Sequence, residues 1–445
     1  MEVGAAPTAV QWEAAGTSGE RVNEIWDADC LSLSGGTARN RYARVRPAFF
    51  CGCAVPGGKR GIFSDTASPA EIGFCGCDIP CRENEYVVQV KSSDENGYDE
   101  KNDENRGGIV LEADIKVYRG AHVESTHVVH VAVVDAAGKL LYAHGNPDRP
   151  TFPRSSLKPL QAVPVVETGA ADAFGFRPEH LALCCASHNG EPLQRERVLE
   201  MLAKAGLEER HLKCGTHVPK DAESWRKLVR EGKELTPVYS NCSGKHAGML
   251  ATAVHMKEDV GTYHRLEHPV QQRILQVVSR FCAVPAERIE TGVDGCGVPV
   301  HLLPLRAIAL GFARLAAPDA AGTDAAAVRR ITGAMTAHPD MVAGARRLDT
   351  DLMRAYRGRL VSKAGAEAVQ CIGDLERGIG IAVKVEDGGT RALDAAAMSV
   401  LRQLGIGGED IFAELKSYAE PVVENMHGEP VGRIEAAFRL APVNR

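Results

Sequence analysis

The sequence has no apolar run near the roughly 18 residues that a membrane-crossing helix needs. It also has no large excess of one charge, no internal repeat, and no cysteine pair at the C-x2-C spacing common in structural zinc modules. The first absence argues against a helical membrane span. The N-terminus, Met1-Glu-Val-Gly-Ala5, has no basic segment ahead of an apolar stretch, which predicts a soluble cytoplasmic protein. A formal net charge of −6 over 445 residues gives no electrostatic footprint for nucleic acid or an anionic membrane. No histidine precedes His122, so the six early cysteines (Cys30, Cys51, Cys53, Cys75, Cys77 and Cys81) have no imidazole partner nearby. Thirteen cysteines, an odd and unevenly spread set, suit reduced thiols better than a disulfide framework.

What is present falls into two textures. Residues 1–107 are rich in glycine, serine and polar residues and show no sustained periodicity. They end in a charged run, Ser92 to Asn105, with too little apolar content to offset its ordering entropy. This part reads as a poorly structured extension, a partner-binding module being the alternative. Residues 108–445 read as a catalytic domain. A buried-type strand at 127–134, a turn at Asp135-Ala-Ala-Gly138 and a return at 139–143 form an early hairpin. Helical patterns follow at 194–205, 246–256, 269–281, 325–335 and 392–404, with a strand at 379–385 and a final hairpin near 421–434. Strands at both ends of a helical middle predict an α+β protein with one antiparallel sheet closed by both ends of the chain.

Three short strings carry chemistry in order: Ser155-Ser-Leu-Lys158, Ser187-His188-Asn189 and Lys363-Ala-Gly365. Together they reproduce the S-x-x-K, Ser-x-Asn and Lys-x-Gly series of the penicillin-recognising serine enzymes. Residues three apart on a helix share a face, so Ser155 and Lys158 can meet, and a lysine held neutral by burial can take the serine proton. Ser155 is expected to open a helix whose dipole favours the developing oxyanion, with Pro159 tolerated in the first turn. Ser187 is the candidate proton relay, with His188 or Asn189 placed to orient substrate, and Lys363 can either anchor an anionic carboxylate or hold Ser187 in its reactive state. Gly365 would let an edge strand approach a bound acyl group.

Two further strings are dense in reactive groups: Asn241-Cys-Ser-Gly-Lys-His246 and Asp294-Gly-Cys-Gly-Val-Pro299. Cys242 and Cys296 read most simply as buried thiols. A three-dimensional zinc cluster of Cys242, Lys245 and Cys296, with His246 or Asp294 beside it, is the alternative.

These strings, with Arg119-Gly-Ala-His-Val-Glu-Ser-Thr-His127, Cys214-Gly-Thr-His-Val-Pro219 and Ser362-Lys-Ala-Gly-Ala-Glu367, resemble the rhizobial-type L-asparaginases over roughly residues 109–445. The resemblance implies a serine β-lactamase-like fold, hydrolysis of L-asparagine to aspartate and ammonia, and a dimer. It implies serine-lysine pairs Ser155 with Lys158 and Ser187 with Lys363. It also implies zinc held by Cys242, Lys245 and Cys296, with Asp294 and His246 beside the metal or the substrate. It gives no account of the cysteine-bearing extension. A glutaminase, a β-lactamase or D-alanyl peptidase, and a non-catalytic binding protein of the same fold are the competing readings.

Overall fold

A strand buried along its whole length must be covered on both faces, and Ile379–Val385 is such a strand. It lies inside a six-stranded antiparallel sheet. The strand order is Leu360–Gly365, Val369–Asp374, Ile379–Val385, Val129–Asp135, Leu140–His144 and Ala441–Pro442. The computed structural model describes residues 113–443. It also describes the strands Ser32–Ser34, Arg41–Val45 and Tyr86–Val90, which pair antiparallel in that order. The chain divides into two units, Met1–Gly108 and Ile109–Arg445. The six early cysteines lie outside the described residues.

Side chains alternate across the six-stranded sheet with the period of two that strands impose. Val131, Val133, Ile381 and Val383 enter a core with Ala396 and Val400 of the helix Thr390–Gln403. Ala132, Val134 and Ala382 enter the larger core with Ala309 and Phe312 of the helix Leu305–Ala316. That second helix rests directly on the backbone of the sheet. Gly373 and Gly380 face each other in register, and a Cβ on Gly380 would run into the Ala309 carbonyl. One on Gly373 would stand 2.9 Å from the Phe312 carbonyl.

A four-stranded sheet, ordered Val422–Glu424, Pro430–Ala436, Ile115–Arg119 and His122–His127, again joins early and late parts of the chain. The α+β expectation holds, and both sheets are closed by distant segments. The expected strand at 127–134 is divided, because the chain changes sheets at Val128. The Asp114 carboxylate accepts the Val129 amide (2.7 Å) at the crossing. The predicted turn is held by Asp135, whose carboxylate accepts the Ala137 and Lys139 amides.

Between the sheet strands lies the helical layer, including Pro192–Lys204, Ser243–His255, Pro269–Cys282 and Ala325–Ala337. Residues Ser243 through Ala253 are all buried, so this helix is surrounded rather than half-exposed. No helix among the described residues is long and apolar enough to cross a membrane.

Filling the helix-on-sheet contact tests this packing. Gly380→Ala is expected to destabilise the protein by about 1–3 kcal/mol, as overpacking does. Urea unfolding should show a lower midpoint at unchanged slope. An unchanged midpoint would mean that the helix yields to the added methyl.

Candidate active site

The Ser155 segment does not open a regular α-helix as expected. Arg154–Leu157 is one 3-10 turn, followed by the short helices Lys158–Gln161 and Val163–Glu167. Pro159 and Pro164 interrupt the hydrogen-bond ladder, and so few aligned peptides make no sizeable dipole. The turn is instead braced from two sides. Arg154 adopts φ 53°, a left-handed conformation that costs a non-glycine residue about 1–3 kcal/mol. Its guanidinium is tied to the Asp294 carboxylate at 2.6 Å. On the other side Gly365 ends the sheet-edge strand Leu360–Gly365, where a Cβ would overlap the Pro153 carbonyl. The close approach expected of Gly365 is therefore made to the serine turn.

Lys158 is fully buried, and its ammonium donates to the Ser187 hydroxyl (3.1 Å), the Ala186 carbonyl and the Asn241 carbonyl (3.4 Å). It thus joins the first motif to the second. Lys363, also fully buried, donates to the Ala364 carbonyl (2.7 Å) and faces the Asp349 carboxylate at 3.7 Å. The expected pairing was Ser155 with Lys158 and Ser187 with Lys363; the hydrogen bond present links Lys158 to Ser187. Ser155 and Ser187 line the same cavity, of about 470 Å³.

Burial dominates the electrostatics of both lysines. It lowers the Lys158 pKa, opposed by the Cys242 sulfur and reinforced by the Lys245 charge. For Lys363 burial outweighs the attraction of Asp349 and, with the Lys158 charge, brings the pKa down to about 7. A lysine in this state can accept a proton near neutrality.

Asp349, in the first turn of the helix Leu348–Ala355, organises the Lys363 side of the cavity. Its carboxylate accepts from Ser362 Oγ (2.8 Å), Gln370 Nε2 (2.9 Å) and the Ala364 amide (2.9 Å). Sequence reasoning missed Asp349, Arg347 and Asp394, all of which line the cavity. None belongs to a spaced string; the only signal was the charge-dense Arg346-Arg347-Leu348-Asp349 before a helical pattern.

His188, Asn189, His246 and Asp294 do not line this cavity, and Asp294 stands 3.8 Å from Cys296. His188 is fully buried, with Nδ1 accepting the Gly190 amide (3.1 Å) and Nε2 against Ser243 Oγ (2.8 Å). Burial and the Lys158 charge push its pKa down to about 3, so it is a neutral brace beneath the cavity. Asn189 accepts from Arg347 (3.0 Å) and donates to the Ala345 carbonyl (3.0 Å), so it acts on the cavity through Arg347. His246 is buried against the Tyr263 hydroxyl (2.7 Å). Asp294 holds Arg154 and caps its own loop at the Gly295 amide (2.8 Å).

Two other strings gain a place. His217 Nε2 accepts the Asn241 amide (2.8 Å), fixing Asn241 at the cavity wall. Ser125 and His127 both receive Arg391, and the far side of the His127 ring is held by Asp387 at 2.7 Å. Arg391 is thereby set at the cavity rim.

Cys242, Lys245 and Cys296 converge below the Ser155 turn. Lys245 Nζ lies 3.1 Å from Cys296 Sγ. A hydrogen bond from Cys242 and the Lys245 charge, against burial, draw the Cys296 thiol down to about 5. The same bond and burial push Cys242 up to about 12. Burial opposes the Lys245 charge, but the facing sulfurs and Asp294 outweigh it and hold the ammonium above its ordinary value. Among the described residues no three His, Cys, Asp or Glu side chains converge as a metal set, so a metal here depends on Lys245 as a donor. Two buried sulfurs suit zinc, and Lys245 could join them only after losing a proton that its surroundings hold tightly.

Comparison with known proteins bears on this geometry. The L-asparaginase II family pattern matches residues 115–436. The chain belongs to the L-asparaginase II family. The match to that family spans the four-stranded sheet, five strands of the six-stranded sheet, the helical layer and all three serine and lysine strings. No curated protein matches the chain. Among solved structures, a Bacteroides dorei DSM 17855 chain assigned as a beta-lactamase is 10% identical, covering 62% of this chain and 94% of that one, at a TM-score of 0.34. The structure of Mglu is 15% identical, covering 62% of this chain and 67% of that one, at a TM-score of 0.29.

The buried Lys363–Asp349 pair yields a test. With its folded pKa below the unfolded 10.5, Lys363 destabilises the fold fully below about pH 7, and the penalty fades as pH rises toward 10.5. Asp349→Ala leaves that ammonium uncompensated, a loss of about 3–5 kcal/mol where Lys363 is charged. The drop in melting temperature should therefore be larger at pH 6 than at pH 9. Equal drops at both would remove Lys363 charge as the cause.

Proposed function

We propose that this member of the L-asparaginase II family hydrolyses L-asparagine to L-aspartate and ammonia through an acyl-enzyme on Ser155. The observation that carries the reading is the shared cavity of Ser155 and Ser187, with fully buried Lys158 hydrogen-bonded to Ser187 and Lys363 behind it. Neutral Lys158 takes the Ser155 proton as the hydroxyl oxygen attacks the side-chain amide carbon. The carbon–nitrogen bond then breaks, and Ser187 passes the proton from Lys158 to the departing ammonia. Water next attacks the ester, gives its proton back along the same path, and frees aspartate and Ser155. Lys363 sets the charge of the wall against which Ser187 works.

The Cys242, Lys245 and Cys296 set would hold zinc, whose positive charge would orient a polar group of the substrate or a water. The metal makes its own prediction. Protein isolated without chelator should carry zinc by elemental analysis, and Cys296→Ser should lose it. Zinc-free wild-type protein would overturn the assignment.

Ammonia release from L-asparagine and L-glutamine in parallel tests the reaction. Activity on L-asparagine is expected, with Ser155→Ala reduced to the uncatalysed background while its melting temperature stays close to that of the parent. Near-parental ammonia release by Ser155→Ala would sink the nucleophile assignment. Because a charged Lys363 opposes the passage of a proton through Ser187, kcat/KM should rise with pH through an inflection near 7 and then level off. Lys363→Arg, charged throughout, should lose that inflection. Turnover of a fluorogenic cephalosporin in place of both amides would move the substrate to β-lactams.

A further inference from the structure

The cavity contains charges of both signs that do not neutralise one another. Asp394, in the second turn of the helix Thr390–Gln403, lines it and makes no hydrogen bond or ion pair with the described residues. Lys220 and Arg346 line it without a carboxylate partner among those residues. Arg347 spends its hydrogen bonds on neutral oxygens, the Ser187 carbonyl (3.3 Å) and Asn189 Oδ1 (3.0 Å). The other acid on this wall, Asp349, is already taken up by Ser362, Gln370 and Lys363.

Unpaired charges in a partly buried cavity cost desolvation energy that a partner would recover. Burial and the Asp349 charge raise the Asp394 carboxyl to about 6, against the pull of Arg347. Arg347 and Asp394 thus share one field without closing on each other. A ligand that completes both must carry an ammonium and a carboxylate a short distance apart, which is the head group of an α-amino acid. Arg347 is a better carboxylate seat than Lys220, Arg346 or Arg391. Its planar fork is already fixed by Asn189 and the Ser187 carbonyl, so little freedom is lost on binding. A carboxylate there leaves the rest of a short amino acid beside Ser187.

We propose that Asp394 and Arg347 are the specificity determinants for a zwitterionic α-amino-acid head group. Asp394 takes the α-ammonium and Arg347 the α-carboxylate. The assignment rests on the amidohydrolase reading, and it gives Asn189 a task as the positioning residue of Arg347.

Three amides separate the contributions: L-asparagine, succinamate (which lacks the α-ammonium) and 3-aminopropanamide (which lacks the α-carboxylate). Wild-type enzyme should favour L-asparagine over each by about 10- to 100-fold in kcat/KM, the range of a lost charged hydrogen bond. Asp394→Asn should raise KM for L-asparagine about 10-fold or more while kcat stays within about twofold, and succinamate kinetics should not worsen. Arg347→Gln should mirror this, sparing 3-aminopropanamide. Melting curves establish that both variants fold.

Equal loss on all three amides, or no loss on any, overturns the proposal. Wild-type turnover reports separately on the amidohydrolase reading. If no amide is turned over, calorimetric binding of L-aspartate reads the head group directly. Binding that is lost in Asp394→Asn supports the assignment, and binding that is unchanged in the variant, or absent from wild type, overturns it.

Discussion

The buried Lys158 ammonium is the tie on which the site depends. Its donors reach the loop of Ser187 and the Asn241 carbonyl, while its backbone amide caps the turn of Ser155 at the Ser155 carbonyl. Three segments far apart in sequence are thus held by one side chain with no access to solvent. A desolvated cation tolerates this only while carbonyl and hydroxyl oxygens surround it, so loss of any one loop exposes a large penalty in the other two. The burial that locks the architecture also weakens the hold of the lysine on its proton. The tie and the weakened hold on the proton arise from the same lack of water.

A second layer of polar residues keeps this arrangement from relaxing. Asp294 restrains Arg154, Asn189 restrains Arg347, His217 restrains Asn241, and His127 with Ser125 restrains Arg391. None of these supports needs to touch a reacting atom. Each pins a group that lines the cavity or neighbours Ser155, which is how loops can be placed as accurately as helices.

Much of this was legible in the sequence because it has a period or a spacing. The mostly apolar run at Ile379–Val385, broken by Lys384, signalled a strand, and the amphipathic pattern near 269–281 matches the helix Pro269–Cys282. The ordered strings named the two serines that line the cavity and two fully buried lysines. The helix Leu305–Ala316 was missed because ten of its twelve residues are buried, so it carries no polar face to mark a period. The crossed contact of Lys158 with Ser187 depends on how the turn at Arg154 bends, and spacing along a chain does not specify that. Asp394 and Arg347 come from segments whose local patterns concern a helix start, and only the fold turns them toward one cavity.

The way both sheets are sewn shut has a consequence for how the molecule comes into being. Val129–Asp135 finds its central partner, Ile379–Val385, about 250 residues further along the chain. The edge strand that carries Lys363 joins the sheet only through the two strands that follow it. On a ribosome, therefore, the motif-bearing serines emerge long before the wall that completes their cavity. Helices of the middle segment can form early, but Lys363 reaches its place only when the C-terminal strands pair. The serine strings therefore meet the wall carried by the C-terminal strands only after those strands have paired.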